Sequence, residues 1–135
     1  MAVQLSTTVR DARLDAIETT ISTAPILRIR TGSPPANCAA SRSGTVLAEM
    51  TLPSDWMAAA SSGTKAKSGT WNDLSADAAG TAGHFEIVDS GGTVCHLQGT
   101  VTASAGGGDM ELDDITIDVG QSVTVSTFTL TDGNA

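Results

Sequence analysis

Apolar residues recur along this chain at two different periods. Near the start, Leu14, Ile17 and Ile21 stand three and four positions apart, and Val9 and Ala12 extend part of that stripe. Residues 8–21 contain no Gly or Pro, so the spacing predicts an amphipathic helix of about four turns. Thr8 with Asp11 resembles a capping pair, and Pro25 stands just past the end. Arg10, Asp11, Asp15 and Glu18 form the opposite, solvent-facing side. The apolar stripe suits two duties equally: covering the chain's own sheet, or reaching a neighbouring subunit.

From Pro25 onward the period is two. In residues 26–31, Leu27 and Ile29 face in while Arg28 and Arg30 face out. Turn formers follow at 32–37, including Pro34 and Pro35. Residues 45–52 form the next strand, with Val46, Ala48, Met50 and Leu52 on one face. Between Trp56 and Gly83 runs a long connection rich in Ala, Ser, Gly and Thr, with one short strand near 65–71 and two indole anchors, Trp56 and Trp71. Residues 82–89 and 93–101 flank Ser90–Gly91–Gly92 as a hairpin. Its simplest register sets Ile87 opposite Cys95 and Phe85 opposite Leu97 in the core, with Glu86–His96 and His84–Gln98 outside. In 109–119 the alternation changes parity at Asp113–Asp114, and in 121–131 it changes between Val125 and Phe128. These shifts predict bulges or breaks in a strongly bent sheet. The fold expected is mainly β: a single jelly-roll-like β-sandwich over residues 25–135, preceded by an arm and one N-terminal α-helix over residues 1–24.

Composition supports strands over a helical bundle. Only two Trp, two Phe and no Tyr accompany a chain dominated by small residues. The net charge of −8 leaves no footprint for nucleic acid or an anionic membrane. No apolar run approaches the roughly 18 residues of a membrane span, and the first residues lack the apolar stretch of a signal peptide. A cytosolic site of synthesis follows as an expectation, and with it two buried free thiols at Cys38 and Cys95 in preference to a disulfide.

Candidate chemistry is sparse. His84 and His96 fall on the outward face of the hairpin, where His96 beside Glu86 reads as an ordinary cross-strand pair. Cys95 and His96 are consecutive strand residues pointing to opposite faces, so they do not couple as nucleophile and base. No GxSxG, HExxH or phosphate-cradling motif occurs, and Gly106–Gly108 reads as a linker. Asp109, Glu111, Asp113, Asp114 and Asp118 crowd one region, but their spacing is the solvent parity of a strand and not a calcium loop. The expectation is therefore no catalytic residue, no cofactor and no metal.

The strings VRDARLDAIETTI, ILRIRTGSPPANCAA, GTVLAEMTLPSDWM, GTAGHFEIVDSGGTVCHLQGTVT and VGQSVTVSTFTLTDGNA resemble a family of small structural proteins of tailed bacteriophages and prophages. The resemblance implies a non-enzymatic virion component, foremost a capsid decoration or cement protein. Its implied partners are the major capsid protein, other virion proteins and further copies of itself in a symmetric assembly. Expected contact residues are Leu14, Ile17 and Ile21 on the helix, Pro34 and Pro35 in the turn, and Trp56 and Trp71. Alternatives are a tail-tip or fibre module binding saccharide through Trp56 and Trp71, and a head–tail or tail-completion part.

Overall fold

The computed structural model describes residues 3–134. Helix α1 (Thr7–Ile21) starts where the Ser6 hydroxyl accepts the Val9 N–H at 3.3 Å, so the capping residue is Ser6 and not Thr8. It stops where the Ser22 N–H returns to the Glu18 carbonyl and Ser22 takes a φ of 73°. Buried Pro25 then leads into the sheet.

Nine strands follow among the described residues: β1 (Ile26–Thr31), β2 (Val46–Thr51), β3 (Thr64–Ala66), β4 (Asn72–Asp73), β5 (Gly80–Val88), β6 (Cys95–Ala103), β7 (Met110–Leu112), β8 (Thr116–Ile117) and β9 (Val123–Thr131). The main path is β2-β1-β5-β6-β7-β9-β3, with β8 beside β5 and β4 beside β9. The fold is mainly β with one helix, and the sheet is mixed and curled. The curl brings β2 back to β4 and the segment after it: the Glu49 N–H donates to Asp73 Oδ2 at 3.1 Å, and the Asp77 N–H to the Leu47 carbonyl at 2.8 Å.

Strands β6 and β7 are parallel, although only residues 104–109 join them. Parallel neighbours ordinarily need a crossover of a dozen or more residues. Here the glycine run folds flat against its own strand. A Cβ at Gly106 would lie 2.6 Å from Thr102 atoms and one at Gly108 2.9 Å away, while Gly107 takes a φ of +80°. The expected linker is thus a tight double reversal that only glycine permits.

Both parity shifts appear. Residues 109–119 break into β7 and β8, and Glu111 pairs Thr127 while Leu112 pairs Val125, leaving Ser126 as a bulge. The long 56–83 connection holds two short strands, β3 and β4, where one was expected.

All the aromatic side chains form one line through the core. Trp56 and Trp71 have ring centroids 6.0 Å apart, Trp71 and Phe128 5.5 Å, and Phe128 and Phe85 5.5 Å with an edge-on 76° tilt. Each indole N–H is satisfied internally, Trp56 by the Ser22 carbonyl and Trp71 by that of Ser68, both at 3.0 Å. The contact role expected of these two residues is corrected by their burial, at 0% and 1% exposure. Leu14 and Ile21 are buried as well.

Candidate functional site

The outward face of β1 carries Arg28 and Arg30, as alternation requires. Register then decides what flanks them: Glu49, Arg28, Glu86 and Gln98 form one row across β2, β1, β5 and β6. Glu86 is the hub. Arg30 Nε donates to Oε1 at 3.0 Å, Arg42 Nε to Oε2 at 2.7 Å, and Arg28 NH1 lies 3.6 Å from Oε1. Arg28 Nε also donates to Glu49 Oε2 at 2.7 Å. Burial alone would raise the Glu86 pKa, but the Arg42 hydrogen bond and the charge and hydrogen bond of Arg30 hold it below the ordinary carboxylate range.

A loop of residues 32–45 covers this row. The Gly32 carbonyl accepts from His84 Nδ1 at 2.9 Å, the Pro35 carbonyl accepts from Gln98 Nε2 at 2.6 Å, and Arg42 NH2 donates to the Thr93 carbonyl at 2.8 Å. Gly83 makes the approach possible. It is skipped in the β1–β5 register, and a Cβ there would meet the Gly32 carbonyl oxygen at 2.3 Å. Beneath the loop, Arg30, Cys38, Arg42, His84, Glu86 and Cys95 enclose a cavity of ≈ 10 Å³, room for about one water. These groups face one another across it.

The hairpin differs from its expected register. Asp89 accepts the Thr93 and Val94 N–H groups at 2.7 and 3.0 Å, which lengthens the turn and holds the Asp89 carboxyl below its usual range. Ile87 therefore opposes Leu97, Phe85 opposes Gly99, Glu86 opposes Gln98, and Val88 opposes Cys95 across a bulge. The bulge moves Cys95 out of the core onto the polar face, where its Sγ lies 2.7 Å from Cys38 Sγ. Both cysteines are free thiols, half-buried where full burial was expected. Burial first, then the contact with Cys38, pushes the Cys95 pKa up to about 12. His84 and His96, expected on one face, are separated: His84 is buried under the loop, and His96 lines a groove with Arg13, Ala16, Ile17 and Thr20 of α1.

Helix α1 also inverts one expectation. Its carboxylates point into the protein. Asp11 Oδ1 accepts the Gly63 N–H at 2.7 Å, Asp15 Oδ1 accepts the Ala60 N–H at 3.0 Å, and Glu18 Oε1 accepts the Met57 N–H at 3.3 Å. Lys65, only 2% exposed, places Nζ 2.7 Å from Asp15 and 2.8 Å from Glu18. Desolvation would lower its pKa, yet the two carboxylates raise it above the ordinary value. The helix thus binds its own domain through both its polar side and Leu14 and Ile21.

Most of the acidic row consists of backbone caps. Asp109 Oδ2 accepts the Thr100 N–H at 2.8 Å, Glu111 accepts those of Ala105 and Gly107, and Asp113 accepts that of Thr124. Among the described residues, no grouping of three or more His, Cys, Asp or Glu side chains could hold a metal ion, and no helix is long and apolar enough to cross a membrane. Of the expected contact residues, Ile17, Pro34 and Pro35 are half-buried, the prolines within the loop closed over the Glu86 row. Strongly exposed aliphatic residues lie elsewhere, among them Leu74 at 74% and Val119 at 69%. Sequence reasoning missed the Glu86 hub and the Lys65 pairing. Shared parity of Arg28, Glu49 and Glu86 was the available signal for the first.

No family model matches the chain, and no curated protein or solved structure matches it.

Proposed function

We propose that this protein is a structural component of a tailed-phage virion that works by burying surface against its neighbours, as a capsid decoration protein bridging and stabilising capsomers. The observation that carries the reading is the end of the sheet bearing Leu74 and Val119. Their loops are clipped together, the Ala76 N–H donating to the Gln121 carbonyl at 2.9 Å and the Gly120 N–H to the Ala76 carbonyl at 2.8 Å. Two nearly naked aliphatic side chains are thus offered from a fixed backbone, which lowers the ordering cost of association. The charged groups support the same reading, because Glu86 and Lys65 are engaged in holding loop and helix to the domain. The resemblance of the sequence strings supplies the kind of assembly.

We read the curled sheet as a jelly-roll-like sandwich whose two halves meet across the Phe85–Phe128–Trp71–Trp56 line. The saccharide-platform alternative loses its footing, because both indoles lie in the core. The remaining alternative, a head–tail or tail-completion part, differs in stoichiometry. Quantifying the protein against the shell protein in purified particles tests the choice: copies in the hundreds fit decoration of a symmetric shell, whereas a single ring of copies contradicts it.

A further inference from the structure

We propose that Cys38 and Cys95 are a covalent cross-linking site, oxidised to a disulfide by a low-molecular-weight disulfide such as oxidised glutathione. The two sulfurs come from segments 57 residues apart, and they stand 2.7 Å from each other. A further approach of about 0.7 Å brings them to bond length. Two independent features produce the meeting. The β6 bulge turns Cys95 away from the core, and the 32–45 loop carries Cys38 across the polar face on the contacts made by His84, Gln98 and Glu86. The pair is also accessible. It borders an open groove of ≈ 510 Å³ lined by Ala39, Ser41, Arg42, Thr93 and Val94, large enough to admit a small disulfide reagent.

The exchange runs in two steps. The Cys38 thiolate attacks one sulfur of RSSR, forming a Cys38–S–SR mixed disulfide and releasing RS⁻. Cys95 then loses its proton to solvent and attacks Cys38 Sγ, forming the Cys38–Cys95 bond and releasing the second RS⁻. Two protein thiols are oxidised by two electrons, RSSR is reduced, and the two protons complete two RSH. Cys95 serves as the resolving group, because burial and the contact with Cys38 keep its thiol protonated in the reduced pair.

The bond converts the cover over Glu86 from one held by polar contacts into one held covalently. Closing a loop of this length constrains the unfolded chain strongly, so the melting temperature is expected to rise by about 10 °C. The test uses the full-length protein equilibrated with oxidised glutathione, followed by alkylation in denaturant, intact mass, peptide mapping and thermal melting. The expected product is a monomer that has lost two hydrogens, carries no glutathione, yields a Cys38–Cys95 linked peptide and melts higher than the reduced protein. Cys95→Ser is expected to stop at a stable mixed disulfide on Cys38 without a rise in melting temperature. Wild-type protein that accumulates bound glutathione or intermolecular dimers, or that forms the bond with no rise in melting temperature, would overturn the proposal. The measurement is made on the isolated chain, so its outcome is independent of the assembly role.

Discussion

Lys65 Nζ lies 2.7 Å from Asp15 Oδ1, joining the short strand β3 to the only helix among the described residues. The ammonium also donates to the Ala58 carbonyl at 2.8 Å, so one buried cation ties together α1, β3 and the loop between Trp56 and Thr64. Lys65→Met keeps the stem and removes the charge. It strands the Ala58 carbonyl and removes the counter-charge of Asp15 and Glu18, and is expected to cost about 2 kcal/mol. Urea unfolding monitored by circular dichroism measures this.

Deleting residues 1–24 is expected to abolish cooperative unfolding, because it uncovers Lys65 and Met57 and removes the acceptor for Trp56 Nε1. A helix that served only to reach a neighbour would leave the melting transition intact. Calorimetry of the truncated chain distinguishes these outcomes.

Glu86→Gln leaves Arg28, Arg30 and Arg42 crowded around a neutral group. The expected cost is about 3 kcal/mol, with the 32–45 loop becoming sensitive to limited proteolysis before the rest of the domain. Gly83→Ala reaches the same loop from its backbone side, through the clash with Gly32, and is expected to cost about 2 kcal/mol. Cleavage sites mapped by mass spectrometry read out both variants.

Stability is expected to fall on the acid side in a defined way. Glu86 is held below the ordinary carboxylate range despite burial, and Asp15 is lowered chiefly by its hydrogen bond to Lys65. Groups with depressed folded values contribute fully above their unfolded values, about 4, and that contribution is lost as pH drops through the folded values. Lys65 and the reduced Cys95 are raised, so their contributions are full below their unfolded values and decline as pH rises through the folded ones. Urea midpoints between pH 2 and 11 should show a plateau near neutrality, and Glu86→Gln should flatten the acid limb.

Much of this architecture was legible in the sequence, and its gaps have physical causes. Periodicity marked α1 to within one residue because its stripe runs uninterrupted by Gly or Pro and Pro25 stands just past its end, and the parity shifts exposed the bulge at Ser126 because Val123, Val125 and Phe128 are all buried. Alternation could not show that Asp11, Asp15 and Glu18 dock inward. A carboxylate that accepts backbone N–H groups looks, in one dimension, like one that faces water. The β6 bulge was equally hidden. It depends on Asp89 capping two amides of the turn, a local bond that lengthens the loop and carries Cys95 to the other face. The β6–β7 parallel pairing was masked by a glycine run too short for an ordinary crossover.

The most direct test of the assembly role compares the heat-induced breakage of particles carrying the wild-type protein, particles carrying a Leu74→Asp/Val119→Asp variant, and particles lacking the protein. Particles with the variant and particles without the protein are expected to break at lower temperature, while the isolated variant chain melts like wild type. Equal robustness of all three would contradict a stabilising role at that surface.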